Sequence, residues 1–443
     1  MSQFNKELSA VGDGDSYIDK TPRLETVLGL FERLRLERIG RLAAYAGVIG
    51  TAVLAAGVAA KSASSHPDAL GAAKISHPLD YVGVTSNRIW VPDRQEAVEA
   101  AQEIADTGAN TVRIFEPLSP GQAEIDNDKV RLCNAAEAAR ESNLTLEISY
   151  MGHQGSKVNY VPSSAAAVTR FITTDSAVLW NIAGPNANKR GPNGSPPCVE
   201  EPLSKVIVEV FNEVNSGTFN ANRDAPKKYA YLMSRAGPAL AKDADNINQA
   251  LEAATPAGQQ TAQPPFTLIR AAGGLAVGNS DPIGFLRDFD IALKNLGVTT
   301  VPFDLLTIHP YPRDITSDPA GIEAALYGPM KSELDTSWGN SKVSIFYDEI
   351  GVRAVAAAKR SLYGPKSLSV SSVTIGTQAQ YYHNTFKEAS EEEGVVGVLT
   401  FQGEDASDDG WPSGIVNPDS SHKPSWNSVA QTFHDALAGT LGD

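Results

Sequence analysis

Lys205-Val-Ile-Val-Glu-Val-Phe-Asn-Glu-Val-Asn215 decides how this chain is read, together with Lys342-Val-Ser-Ile-Phe-Tyr-Asp-Glu-Ile-Gly351. Each is a run rich in apolar and β-branched residues that stops at a carboxylate, Glu213 in the first and Glu349 in the second. Such a run reads as a buried strand of a parallel sheet. The middle of a buried strand is expected to exclude charge, because an unpaired buried charge is costly. The carboxyl end is different. There the strand opens into a loop, and in a (β/α)8 barrel that rim is where active sites sit.

Outward from these two runs, apolar strands alternate with helical patterns, the rhythm of βα units. Strands are expected at Tyr81–Thr85, Thr111–Phe115, Leu144–Tyr150, Val206–Phe211, Phe266–Arg270, Leu305–Ile308, Val343–Tyr347 and Val395–Phe401. The helical patterns between and after them fall at Arg94–Thr107, Lys129–Glu141, Ser164–Phe171, Pro226–Asp243, Pro282–Leu296, Gly321–Leu334, Gln378–Ser390 and Trp426–Ala438. Eight pairs over 78–443 predict an α/β fold, a (β/α)8 TIM barrel with inserted loops such as Gly184–Pro197. An open doubly wound sheet would more often carry a glycine-rich turn after its first strand; here that strand runs into Thr85-Ser-Asn-Arg-Ile-Trp90, with no G-x-G-x-x-G.

Ahead of the barrel, residues 1–41 are polar and end in Arg33, Arg35, Arg38 and Arg41, with Leu24, Leu28, Phe31 and Leu34 at helical spacing. Leu42–Ala60 is an uncharged run of 19 residues, long enough to cross a bilayer. The arginines before it would keep the amino end in the cytoplasm. The expectation is a single N-terminal transmembrane helix at 42–60 acting as a signal anchor, or the apolar region of a cleaved signal peptide, followed by a linker at 61–77. Either way the barrel faces outside the cytoplasm, anchored at the cell membrane or secreted. A buried helix of the globular domain is the remaining reading of that run.

A net charge of −15 with no offsetting basic stripe excludes nucleic acid as a partner and suits a neutral ligand such as a sugar. Two cysteines, Cys133 and Cys198, make no disulfide framework; outside the cytoplasm they pair with each other, or else they stay independent thiols. No Cys/His spacing fits zinc, and neither metal nor cofactor is expected. Asp405, Asp408 and Asp409 form an acidic loop of the kind that can hold Ca²⁺ for a different, metal-using barrel enzyme, but it reads first as solvated charge.

Breaking a glycosidic bond takes one acid to protonate the leaving oxygen and a second carboxylate across the sugar. Strands four and seven stand three positions apart in a ring of eight, so their ends face each other across the mouth. Asn212-Glu213 and Glu349 at those ends resemble the 4/7 glycoside hydrolases of clan A, the barrels of the cellulase and β-xylosidase type. Arg113 on strand two, His153 after strand three and His309-Pro-Tyr311 after strand six match the same pattern. The resemblance spans about Tyr81 to Ala438. It implies a retaining glycosidase acting on an oligo- or polysaccharide through a β-linkage. Glu213 would be the acid/base and Glu349 the nucleophile. Asn212 would hold the sugar 2-hydroxyl, and Tyr311 would hydrogen-bond the nucleophile. Clan members usually end strand eight on a tryptophan; here it ends Leu399-Thr-Phe-Gln-Gly-Glu404, which leaves Phe401, or Trp411 in the following loop, as the sugar platform. That departure keeps a non-catalytic cell-surface glycan-binding barrel open as the alternative.

Overall fold

The computed structural model describes residues 76–118, 122–154, 157–158, 161–185, 198–199, 201–216, 224–255, 265–277, 281–311, 319–339, 342–354, 372–373, 375–401, 414–416, 422–423 and 425–441. The predicted membrane segment 42–60 and the segments flanking it, 1–41 and 61–75, lie outside the described residues, as do Trp411, the acidic loop and most of the Gly184–Pro197 insertion. Among the described residues no helix is long and apolar enough to cross a membrane.

Eight strands form the ring: β1 (Tyr81–Thr85), β2 (Thr111–Leu118), β3 (Thr145–Gln154), β4 (Lys205–Val210), β5 (Thr267–Ala276), β6 (Leu305–His309), β7 (Ser344–Ile350) and β8 (Val395–Phe401). Their order is β2-β1-β8-β7-β6-β5-β4-β3, and β2 also pairs with β3, which closes the barrel. Every pairing between these neighbours is parallel. Helices follow the strands in turn: α1 (Arg94–Asp106), α2 (Gln122–Glu141), α3 (Ala165–Ala183), α4 (Ala225–Ala254), α5 (Pro282–Asn295), α6 (Pro319–Trp338), α7 (Ile375–Glu391) and α8 (Trp426–Ala438). Local chemistry starts several of them. The Asp93, Ser164 and Asp281 side chains accept the first free N–H groups of α1, α3 and α5.

The expected (β/α)8 barrel is therefore the observed one, with elements that run longer than expected. β5 extends to Ala276 rather than Arg270, and α4 continues past Asp243 to Ala254.

Side chains alternate across each strand. In β4, Val206, Val208 and Val210 face the helices and join the larger core, whereas Ile207 points to the barrel axis. Tyr81, Ile207, Ala271, Leu305, Phe346 and Leu399 come from six strands and fill the amino-terminal half of the barrel as an apolar plug. Above that plug the interior turns polar. Arg113, Glu147, Glu209, Thr307, His309 and Asp348 are all fully buried.

This corrects one expectation. The middle of a buried strand was expected to exclude unpaired charge, yet Glu147 and Glu209 stand mid-strand in β3 and β4. The reason is Arg113 on β2, which supplies counter-charge to Glu147 on the adjoining β3 and to Glu209 one strand further on. The two cysteines are paired: Cys133 in α2 is bonded to Cys198, with the Cα atoms 5.5 Å apart.

Candidate active site

Two backbone irregularities build the site at the carboxyl end of the ring. In β7, the register against β8 passes from Val398↔Tyr347 to Thr400↔Ile350, so two residues oppose one. This bulge lies at Asp348-Glu349 and lets both consecutive carboxylates turn inward, where a regular strand would send them to opposite faces. In β5, the register against β6 slips between Ala272 and Leu275, at Gly273-Gly274. Gly274 has φ +52, and a Cβ there would meet Glu209 Oε1 at 2.5 Å and the Glu213 backbone nitrogen at 2.8 Å. The second bulge thus lets β5 press against the end of β4.

The end of β4 is itself bent. Phe211 and Glu213 have φ of 72° and 47°, a conformation that side chains rarely adopt and that functional sites retain. Phe211 N–H donates to Glu209 O and Asn212 N–H to Tyr150 O, which fixes the turn. The bend presents Asn212 and Glu213 to the mouth.

Arg113 is the hub. Its Nη1 donates to Glu349 Oε1 at 2.5 Å, and its Nη2 to Glu209 Oε2 at 2.6 Å, Ser149 Oγ at 3.0 Å and Asn212 Oδ1 at 3.0 Å. Its Nε lies 3.3 Å from Asp348 Oδ2 and 3.5 Å from Glu147 Oε1. Burial alone would lower the guanidinium's pKa, but Glu209, Asp348, Glu349 and Glu147 raise it well above the usual value. The carboxylates outnumber the cation. Burial first, and then Asp348, hold Glu147 well above the carboxylate range despite Arg113. Burial also raises Glu209, against the pull of Arg113. Thr307 donates its hydroxyl proton to Glu209 Oε1 at 2.9 Å and accepts from Gly274 N–H at 2.6 Å.

Glu349 receives a second donor at the mouth, Tyr311 Oη to Oε2 at 2.9 Å. Burial and the adjoining Glu349 carboxylate push the Tyr311 phenol well above its ordinary value, so it stays a donor. His309 Nδ1 lies 3.3 Å from Glu349 Oε2 and 3.4 Å from Glu213 Oε1. A carboxylate oxygen of Glu213, one of Glu349 and a His309 nitrogen all lie within 4.8 Å of one another. Asn212 spends its Oδ1 on Arg113, and among the described residues its NH2 has no hydrogen-bond partner. Phe401, at the end of β8, is half-buried and meets Tyr311 edge-on with centroids 6.2 Å apart.

Of the residues singled out in the sequence, Arg113, Asn212, Glu213, His309, Tyr311, Glu349 and Phe401 converge on this one place. His153 lies in β3 with its backbone paired to Val158, and its side chain is not among those described. Sequence reading missed Glu147, Glu209 and Asp348. A signal was present in Val112-Arg-Ile114, Leu146-Glu-Ile148 and Val208-Glu-Val210, each a single charge between two apolar residues. On a strand whose outer face is buried, that spacing aims one charge from each strand at the axis.

No protein family and no curated protein matches the chain by sequence. Solved structures do match. GH5_18 from Streptomyces cattleya in complex with GlcNAc is 16% identical, with a TM-score of 0.50 over 82% of this chain and 81% of that one. An alanine variant of the same protein, in complex with Manb1-4GlcNAc, gives 16% identity and a TM-score of 0.50 over 80% of each chain. At this identity the likeness is one of fold. The chain shares an eight-stranded parallel barrel with these structures.

Proposed function

We propose that this protein is a retaining glycosidase that cleaves a β-linked oligo- or polysaccharide, with Glu213 as acid/base and Glu349 as nucleophile. The observation that carries this reading is the carboxylate spacing. Oxygens of Glu213 and Glu349 lie within 4.8 Å of one another. Retaining enzymes hold their two carboxyl groups about 5–5.5 Å apart, and inverting ones about 6.5–9.5 Å apart to admit a water. Glu349 is held in place by Arg113 and Tyr311, two donors that favour an attacking carboxylate and do not compete for the anomeric carbon.

In the first step Glu349 attacks the anomeric carbon and Glu213 protonates the departing oxygen, leaving a glycosyl ester on Glu349. In the second, Glu213 takes a proton from water, whose oxygen displaces Glu349 and frees the sugar. The Asn212 amide NH2 stands ready for the 2-hydroxyl, and Phe401 offers a ring for a sugar face. The substrate panel should begin with β-linked mannosyl and N-acetylglucosaminyl compounds, since the fold neighbours were solved with Manb1-4GlcNAc and GlcNAc.

The test is hydrolysis of activated aryl β-glycosides by the full chain, compared with Glu213→Gln and Glu349→Gln. Each variant is expected to lose about 10²-fold or more in kcat. Full activity in both would end the reading. Proton NMR of the first-formed product should show retained anomeric configuration.

We infer, too, that residues 42–60 carry the barrel out of the cytoplasm, as an anchor or a cleaved signal. The Cys133–Cys198 bond supports this, because disulfides persist in oxidising compartments. Protease accessibility of the barrel on intact cells checks it, and a wholly protected barrel in the cytosolic fraction would refute it.

A further inference from the structure

His309 sits where the polar interior meets the mouth, and three carboxylates face its two nitrogens. Nδ1 meets Glu213 Oε1 at 3.4 Å and Glu349 Oε2 at 3.3 Å, and Nε2 meets Asp348 Oδ1 at 3.4 Å. The ring is fully buried. A neutral imidazole has one donor and one acceptor nitrogen. With ionised carboxylates on both sides, its acceptor would face a lone pair. Either the ring holds both protons, or Nδ1 accepts one from Glu213 while Nε2–H points at Asp348. In both states Nε2 carries a proton, and the carboxylate oxygen facing it is Asp348 Oδ1, 3.4 Å away and not aligned as a hydrogen bond.

Asp348 has little else to do. Among the described residues neither of its oxygens makes a hydrogen bond; Arg113 Nε lies 3.3 Å from Oδ2, and an oxygen of Glu209 lies within 4.8 Å. It is nonetheless fully buried, on the bulge that aims it inward. A carboxylate kept there without a structural hydrogen-bond partner of its own needs a reason.

We propose that Asp348 is a positioning residue: it takes the Nε2–H of His309, fixes the ring's orientation and leaves Nδ1 aimed between Glu213 and Glu349. The consequence for turnover rests on the assignment of those two carboxylates, whereas the geometry does not. When Glu213 gives its proton to the leaving oxygen, a protonated Nδ1 beside it donates to the new carboxylate. When Glu213 takes a proton from water in the second step, that hydrogen bond is released. The His309 ring carries the same charge before and after the cycle, so no proton is gained or lost overall.

The charged and titratable groups around the ring are Glu213 beyond β4, Asp348 and Glu349 on β7, and Tyr311 beyond β6. Arg113 on β2, Glu147 on β3 and Glu209 on β4 stand behind them. Burial opposes a charge on His309, but Glu349 and Asp348 outweigh it and raise its pKa well above the usual value.

The experiment is a pH titration of the full chain labelled at histidine Cε1 and followed by NMR, with the His309 signal assigned by its loss in His309→Asn. The unaltered protein should keep an imidazolium signature well past about pH 6.5, where an ordinary histidine titrates. In Asp348→Asn the midpoint should fall by about one to three pH units, the effect of losing a charge at contact distance. Asp348→Glu should recover most of that fall, and Glu147→Gln, equally buried but directed at Arg113, should move it less. An unchanged midpoint in Asp348→Asn overturns the proposal. So does an ordinary titration of His309 in the unaltered protein, which is decisive even if the Asn variant does not fold. A stoichiometric metal ion found by elemental analysis also overturns it, since Glu209, His309 and Asp348 would then be ligands. Hydrolysis is not read, so failure of the glycosidase assignment leaves this test standing.

Discussion

Asp175 in α3 offers the sharpest test of the electrostatics behind the ring. It is 1% exposed, and among the described residues Oδ1 has no hydrogen-bond partner. Burial first raises its pKa, the Tyr150 hydroxyl pulls it down and nearby Asp243 adds to the rise, for a net value of about 7 against an ordinary 3.8. An acid whose folded pKa lies above its unfolded one makes the folded state bind more protons over that interval. Its contribution is whole below about pH 4 and is lost as pH rises to 7. The interval corresponds to about 4 kcal/mol at 1.36 kcal/mol per pH unit. Asp175→Asn keeps the shape and never ionises, so it should not pay this cost. The variant's stability relative to the unaltered protein should therefore rise by up to about 4 kcal/mol between pH 4 and pH 8. Any fixed penalty for burying an unpaired amide cancels in that comparison. Urea denaturation at the two pH values gives the numbers. A difference that changes by less than about 1 kcal/mol would show that Asp175 is hydrated or ionised in the folded protein, and would refute the reasoning.

Three more outcomes follow from the geometry. Tyr311→Phe removes one donor to Glu349 and should lower kcat/KM by about tenfold to a hundredfold, the worth of a hydrogen bond to a charged group, with little change in melting temperature. Gly274→Ala places a Cβ 2.8 Å from the Glu213 backbone at a φ of +52, so urea denaturation should show a loss of about 1–3 kcal/mol and turnover should fall with it. Breaking the Cys133–Cys198 bond by Cys133→Ser frees a span of 65 residues in the unfolded chain and should cost about 4 kcal/mol, measured against the oxidised protein without reductant.

The parallel barrel was legible because each strand is a short apolar run and a helical pattern follows it. Glu213 and Glu349 were legible because a charge that ends such a run has few other places to go. What was hidden depends on register. Arg113 and Glu147 are direct partners across β2 and β3, a pairing that the strand sequences separately do not contain. Asp348 was overlooked beside Glu349 because neighbours on a regular strand face opposite ways, and only the bulge makes both face inward. The bend at Phe211 and Glu213 was unreadable for a similar reason, since neither residue is a glycine and the room for it comes from Gly273-Gly274 on the next strand.

The Arg113 hub has a consequence for anyone redesigning this barrel. One side chain is tied at once to Glu147, Glu209, Asp348 and Glu349, so exchanging any of these alone leaves the rest out of balance. Substitutions there should be strongly epistatic, tolerated in compensating sets and damaging singly. Selectivity is better engineered in the loops, where a change need not be answered from the centre of the molecule.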